Sequence, residues 1–254
     1  MLEETVKKIL TARVYEAARE TPISPATILS KRLHNQILIK REDLQPVYSF
    51  KIRGAYNKMA QLSDEQKAKG VIAASAGNHA QGLALAAKLM GVKAVIVMPR
   101  ITPEIKVQAV RARGAKVILK GDAFAAAAAH AQELIAEHGY TYIPPFDDID
   151  VVAGQGTIGV EILRQHSGRL DAVFVPVGGG GLIAGVAAYI KYLRPEIKVI
   201  GVESEDSASF KAALEAGERV VLDQVGVFAE GVAVAQAGEV PFAIARDLID
   251  EIIT

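Results

Sequence analysis

From residue 70 onward one unit recurs along the chain: an amphipathic stretch, a glycine, then a short run rich in β-branched residues. Lys69-Gly70 precedes VIAAS, Met90-Gly91 precedes VKAVIVMP, Arg113-Gly114 precedes AKVILK, and His138-Gly139 precedes YTYIPP. Each glycine stands where a helix end calls for a left-handed residue, in most cases with a basic side chain in the preceding turn. Helices are therefore expected to alternate with strands. The runs AVFVPV (172–177) and KVIGVE (198–203) continue the alternation. Their unbroken apolar character predicts strands covered on both faces, in parallel sheets joined by right-handed crossovers. Residues Asp247 to Thr254 read as the approach to one more strand. This predicts a fold not yet complete where the sequence stops.

Composition narrows the classes. The 254 residues suit one large domain or two small ones, and no flexible linker or low-complexity tract divides them. Twenty-nine basic side chains balance 29 acidic ones, so no uniform field favours a nucleic acid or an anionic membrane. With no cysteine, disulfides, thiol nucleophiles and Cys-ligated metal sites are excluded. The N-terminus mixes Glu3 and Glu4 with Lys7 and Lys8 and has no apolar core, unlike a secretory signal. Ala172 to Ile190 is free of charge over a membrane-spanning length, but Pro176 and Gly178 to Gly181 interrupt it. A strand, a turn and a new helix in a soluble protein fit it better.

Three segments carry candidate chemistry. In the first, a strand runs into Gly178-Gly179-Gly180-Gly181 and then a helix from Leu182 to Leu193, converging bare amides and a helix start on one point, as a phosphate requires. Gly179, Gly181 and Ala184 also satisfy a G-x-G-x-x-A spacing with Glu203 some 20 residues on, so a nucleotide-binding module stays open. The second, Ser75-Ala-Gly-Asn-His-Ala-Gln-Gly82, lies between VIAAS and a helical run, where the amides of Gly77, Asn78 and His79 can hold a carboxylate. The third is Ser49-Phe-Lys-Ile-Arg-Gly-Ala-Tyr56. Helical spacing of Ile52, Ala55, Tyr56 and Met59 puts Lys51 in a first turn, off the buried stripe, where the helix dipole favours a neutral amine. His34, His130, His138 and His166 lack metal-ligand spacing and read as surface residues, and Arg53 reads as a local or intersubunit ion pair.

In that order and spacing the three segments resemble the fold-type II pyridoxal phosphate enzymes, and among them the biosynthetic threonine dehydratases. Lys40-Arg-Glu-Asp43, Pro144-Pro-Phe-Asp147, Gly154-Gln-Gly-Thr157 and Ala229-Glu-Gly-Val-Ala-Val234 extend the resemblance from about Val14 to the last residue. It implies an α/β fold of two open, mainly parallel sheets with flanking helices, like the tryptophan synthase β chain, the last part of the large domain being absent. Residues 1–65 and 145–254 would form a discontinuous large, cofactor-binding domain, and 66–144 a small one. It further implies pyridoxal 5′-phosphate bound as a Schiff base to Lys51, with Gly178, Gly179, Gly180, Gly181 and Leu182 around the phosphate. Asn78 would meet the ring 3′-oxygen, and Ser75, Gly77, Asn78 and His79 the substrate carboxylate. The reaction implied is elimination from L-threonine to 2-oxobutanoate and ammonia, with L-serine as a lesser substrate, in a cytoplasmic homo-oligomer of isoleucine biosynthesis.

Departures from related patterns refine this. Ala76 stands where serine racemases of this fold have a second acid–base serine, which argues against racemisation. Ser209 replaces a carboxylate of metal-dependent relatives, so no metal is expected despite Glu203, Glu205 and Asp206. In the family, sequence beyond the present last residue supplies a group to the ring nitrogen, and usually regulatory domains. Its absence would expose a sheet edge, impair the cofactor site or leave a catalytically impaired fragment, and oligomerisation is the expected cover.

Overall fold

The computed structural model describes residues 1–226 and 228–254. Helix α1 (Leu2–Leu10) precedes a small antiparallel pair, β1 (Ile23–Pro25) and β2 (Leu38–Lys40), which brackets helix α2 (Thr27–Leu33). This pair was not legible in the sequence, because three residues are too few to show a period. Helices α3 (Lys51–Ala60) and α4 (Asp64–Lys69) lead into β3 (Val71–Ala74), α5 (Asn78–Met90) and β4 (Ala94–Met98). There follow α6 (Glu104–Arg111), β5 (Lys116–Leu119), α7 (Phe124–His138) and β6 (Thr141–Tyr142). The second half runs α8 (Ile149–Gln165), β7 (Ala172–Pro176), α9 (Gly181–Leu193), β8 (Lys198–Val202), α10 (Ser209–Ala216), α11 (Glu239–Ala245) and β9 (Glu251–Ile253).

The remaining strands form two parallel sheets, one ordered β5-β4-β3-β6 and the other β7-β8-β9. Every residue of β3 and β4 is buried, as their unbroken apolar runs predict. Ile96, Leu83, Ile52 and Met59 fill one side of that sheet, and Ile72, Val97, Ala127 and Ala131 the other. Each such aliphatic side chain contributes about 1.5–3 kcal/mol when withdrawn from water. The second sheet packs Val175, Val177, Val199 and Ile252 against Ile183, Val186 and Ile190 of α9.

The expectation that 172–177 is covered on both faces is corrected here: Phe174 is 60% exposed, and Pro176 is exposed as well. α9 covers one face of this sheet, while Phe174 and Pro176 point to the other face, left open among the described residues, so the apolar run does not report burial on two sides. The uncharged stretch 172–190 resolves into β7, the glycine turn and α9. No helix among the described residues is long and apolar enough to cross a membrane.

Candidate active site

Lys51 opens α3, and Ile52, Ala55, Tyr56 and Met59 form the buried stripe their spacing predicts. The amine, kept off that stripe, donates to the Pro145 carbonyl at 2.8 Å and lies 5.4 Å from the centroid of the Phe50 ring. Burial lowers its pKa to about 8. The lowered value agrees with the sequence argument, but its cause is desolvation rather than the helix dipole.

The glycine turn lies beside this amine. Phe50, Lys51, Phe146, Gly178, Gly179, Gly180, Gly181 and Leu182 line one cleft, closed on another side by Gly231, Val232 and Val234. Gly180 caps α9 with φ +90°, a conformation side chains resist, and Gly181 opens the helix. A Cβ at Gly179 would stand 2.4 Å from the Phe146 ring, so the backbone itself forms the wall there. First-turn amides of α9 have no intrahelical acceptor. They face a cleft in which Lys51 is the one lining cation among the described residues. This is a cradle for an anionic phosphate next to an amine of low basicity, and it fits pyridoxal phosphate.

The second segment reaches the same amine from another side. Gly82 packs so closely that a Cβ would lie 3.1 Å from the Lys51 carbonyl carbon and oxygen, which seats the start of α5 against the start of α3. Asn78 is exposed there, while Ser75 and Gly77 are half-buried. The Gly77 amide is not free, as expected, but donates to Ser75 Oγ at 3.3 Å. Asn78, His79 and Ala80 supply the open amides of the first turn. The His79 imidazole is buried and bonds through Nε2 to the Ile143 carbonyl at 2.8 Å. Its pKa falls to about 3 through burial, then through the nearby Lys51 charge. Ser75, Gly77, Asn78 and His79 thus cluster at the α5 start, outside the lining around the glycines.

Glu203 is spoken for. Its carboxylate accepts the Phe210 amide at 3.0 Å and the Lys211 amide at 2.8 Å, capping α10 in a buried position. A ribose-binding role is therefore corrected to a structural one. Among the described residues no group of three or more His, Asp or Glu side chains is placed to hold a metal.

Sequence reasoning missed one constellation. Arg53 is fully buried between two carboxylates, with Nη1 and Nη2 on Glu161 at 2.6 and 3.0 Å and Nε and Nη2 on Glu42 at 2.8 Å each. Lys40 adds a 2.6 Å pair to Glu161, and the Tyr15 hydroxyl donates to it at 2.9 Å. The Lys40-Arg-Glu-Asp43 motif was the available signal, since two of its residues join this network. Phe146 of the Pro144-Pro-Phe-Asp147 motif is half-buried and lines the cleft.

The family profile described as "Pyridoxal-phosphate dependent enzyme" matches residues 14–254. The chain is 57% identical over 252 residues to the biosynthetic L-threonine dehydratase of Burkholderia multivorans, covering 98% of this chain and 50% of that protein. It is 58% identical over 250 residues to the chloroplastic biosynthetic threonine dehydratase of Arabidopsis thaliana, covering 98% and 42%. The chain thus spans about half the length of the curated relatives it matches. Among solved structures, the processed form of threonine deaminase isoform 2 from Solanum lycopersicum superposes with a TM-score of 0.97 at 53% identity, over 99% of this chain and 73% of that one. Maize serine racemase follows at 0.92 and 32%, over 98% and 75%.

Proposed function

The chain belongs to the pyridoxal-phosphate dependent enzyme family, and from that premise we propose that it performs β-elimination on L-threonine, giving 2-oxobutanoate and ammonia, with L-serine as a lesser substrate. The observation that carries this reading is the meeting of a desolvated amine, a glycine phosphate cradle and an open helix start around Lys51. The names of the relatives support threonine over other amino acids.

When bound, pyridoxal phosphate supplies the electron sink that acidifies the Cα–H bond. Lys51 would hold it, and Gly178 to Gly181 with Leu182 would grip its phosphate through amides. Asn78 would take the ring 3′-oxygen. The amides of Asn78 and His79, with Ser75 and Gly77, fix the substrate carboxylate. The Lys51 amine, only weakly basic, would take the Cα proton, and the fixed carboxylate would keep that bond aimed at it. Ala76 offers no hydroxyl to return a proton from the opposite side, which directs the outcome to elimination.

We also read the chain as two units, 66–144 and the remainder. Helix α3 packs on both α5 and α8, so the reactive amine sits at the seam. The word "biosynthetic" in the relatives' names supports a place in isoleucine synthesis, and our reading includes a cytoplasmic homo-oligomer. Assay of 2-oxobutanoate from L-threonine tests the activity. The folded, cofactor-loaded chain should form it, and Lys51→Ala should lose about a thousandfold or more. A folded, loaded wild-type chain without product would overturn the reading.

A further inference from the structure

The short segment Ile143–Asp148, between β6 and α8, touches every part of the site. Its Ile143 carbonyl accepts from His79 Nε2 and its Pro145 carbonyl from the Lys51 amine, both at 2.8 Å. Phe146 lies against Gly179 and Gly181. Asp147 Oδ1 accepts the Val240 amide at 2.8 Å, and Asp148 caps α8 and pairs with Lys58 at 2.7 Å. Pro144 and Pro145 have no N–H, so these residues cannot extend the β-ladder as donors, and their carbonyls are left for side chains. The Ile143 amide still donates to the Ile72 carbonyl at 3.0 Å, so the ladder holds the start of the segment and the residues after it need other anchors.

We propose that His79 is a positioning residue: its bond to the Ile143 carbonyl holds this segment where the Pro145 carbonyl meets the Lys51 amine. This rests on reading Lys51 as the reactive group and adds the side chain that governs its placement. The imidazole must keep its proton on Nε2, because a carbonyl only accepts. Burial keeps the ring neutral, so the bond to the carbonyl fixes the Nε2–H tautomer. Lys51 is the charged group coupled to the ring, and the segment opposite presents the Ile143 carbonyl. Freed from His79, the segment would let water reach the amine, which burial alone holds below its ordinary basicity.

The test reads Lys51 directly in the cofactor-free chain, by labelling with acetic anhydride over a series of pH values and quantifying the modified peptide by mass spectrometry. The wild-type midpoint should fall near 8. His79→Leu should raise it by about half a pH unit or more, and His79→Gln, which keeps a donor, should stay within about 0.2. An unmoved midpoint in His79→Leu, or an equal rise in His79→Gln, would overturn the proposal. Thermal melts establish that the variants fold. Should His79→Leu not fold, His79→Asn, whose shorter amide falls short of the carbonyl, takes its place with the same expected rise. No substrate or product enters the measurement, so it stands or falls separately from the dehydratase reading.

Discussion

At the scale of single residues, the site depends on what is small and what is uncharged. Gly179→Ala would drive a methyl into the Phe146 ring, whose displacement would pull on the segment beside Lys51. Overpacking of this kind costs roughly 1–3 kcal/mol, so cofactor affinity, followed by absorbance titration, should fall about tenfold or more. His79 gives a pH signature. Its folded pKa of about 3 lies below the ordinary value of about 6.5, so acid protonates the unfolded chain first. The associated stability is intact above pH 6.5 and is lost as pH falls toward 3. Between pH 7 and 5, wild type should lose about 1–2 kcal/mol more than His79→Gln, read from urea midpoints at each pH.

Helices come together where side chains are absent, and this is the logic of the element scale. A Cβ at Gly154 would stand 2.6 Å from the Arg53 carbonyl, and one at Gly185 would stand 2.4 Å from the Val152 carbonyl. Both obstacles are backbone and cannot swing aside, so α3, α8 and α9 stack through glycine contacts. Gly185→Ala should destabilise the chain by about 1–3 kcal/mol, visible as a lower Tm. The Arg53 network locks the same stack. Glu161→Gln removes one charge from a fully buried pair and should cost about 3–5 kcal/mol in urea unfolding.

What was legible at these scales follows from continuity in sequence. The Lys51 helix, the Ser75–Gly82 segment and the glycine loop each carry their pattern in adjacent residues; the first and third form as read, while in the second the helix starts already at Asn78 and the Gly77 amide is taken by Ser75 Oγ. Arg53 and Glu161 are 108 positions apart, so only the fold could pair them. Pro144-Pro-Phe-Asp147 was visible as a motif, but the Lys51 amine meets its Pro145 carbonyl and His79 meets the Ile143 carbonyl just before it, and no side-chain pattern encodes a carbonyl contact.

For the whole molecule, the open face of the second sheet is the informative feature. Parallel register sets Phe174 beside Ile200 and aligns Pro176, Val202 and Ile253 across the three strands. Helix α9 packs on the other face, and Phe174, Pro176 and Ile253 remain exposed. Water-exposed apolar area of this kind marks an interaction surface, and two like faces related by a twofold axis cover each other. The proposed homo-oligomer gains its simplest driving force here. A charge at the centre of such a contact must be desolvated without a partner, so Phe174→Glu should shift self-association to higher protein concentration, by about tenfold or more in sedimentation velocity. Because Phe174 is already exposed in the single chain, the same substitution should leave its Tm nearly unchanged at concentrations where it is monomeric. Lost association with retained Tm separates a contact between copies from a defect in the fold.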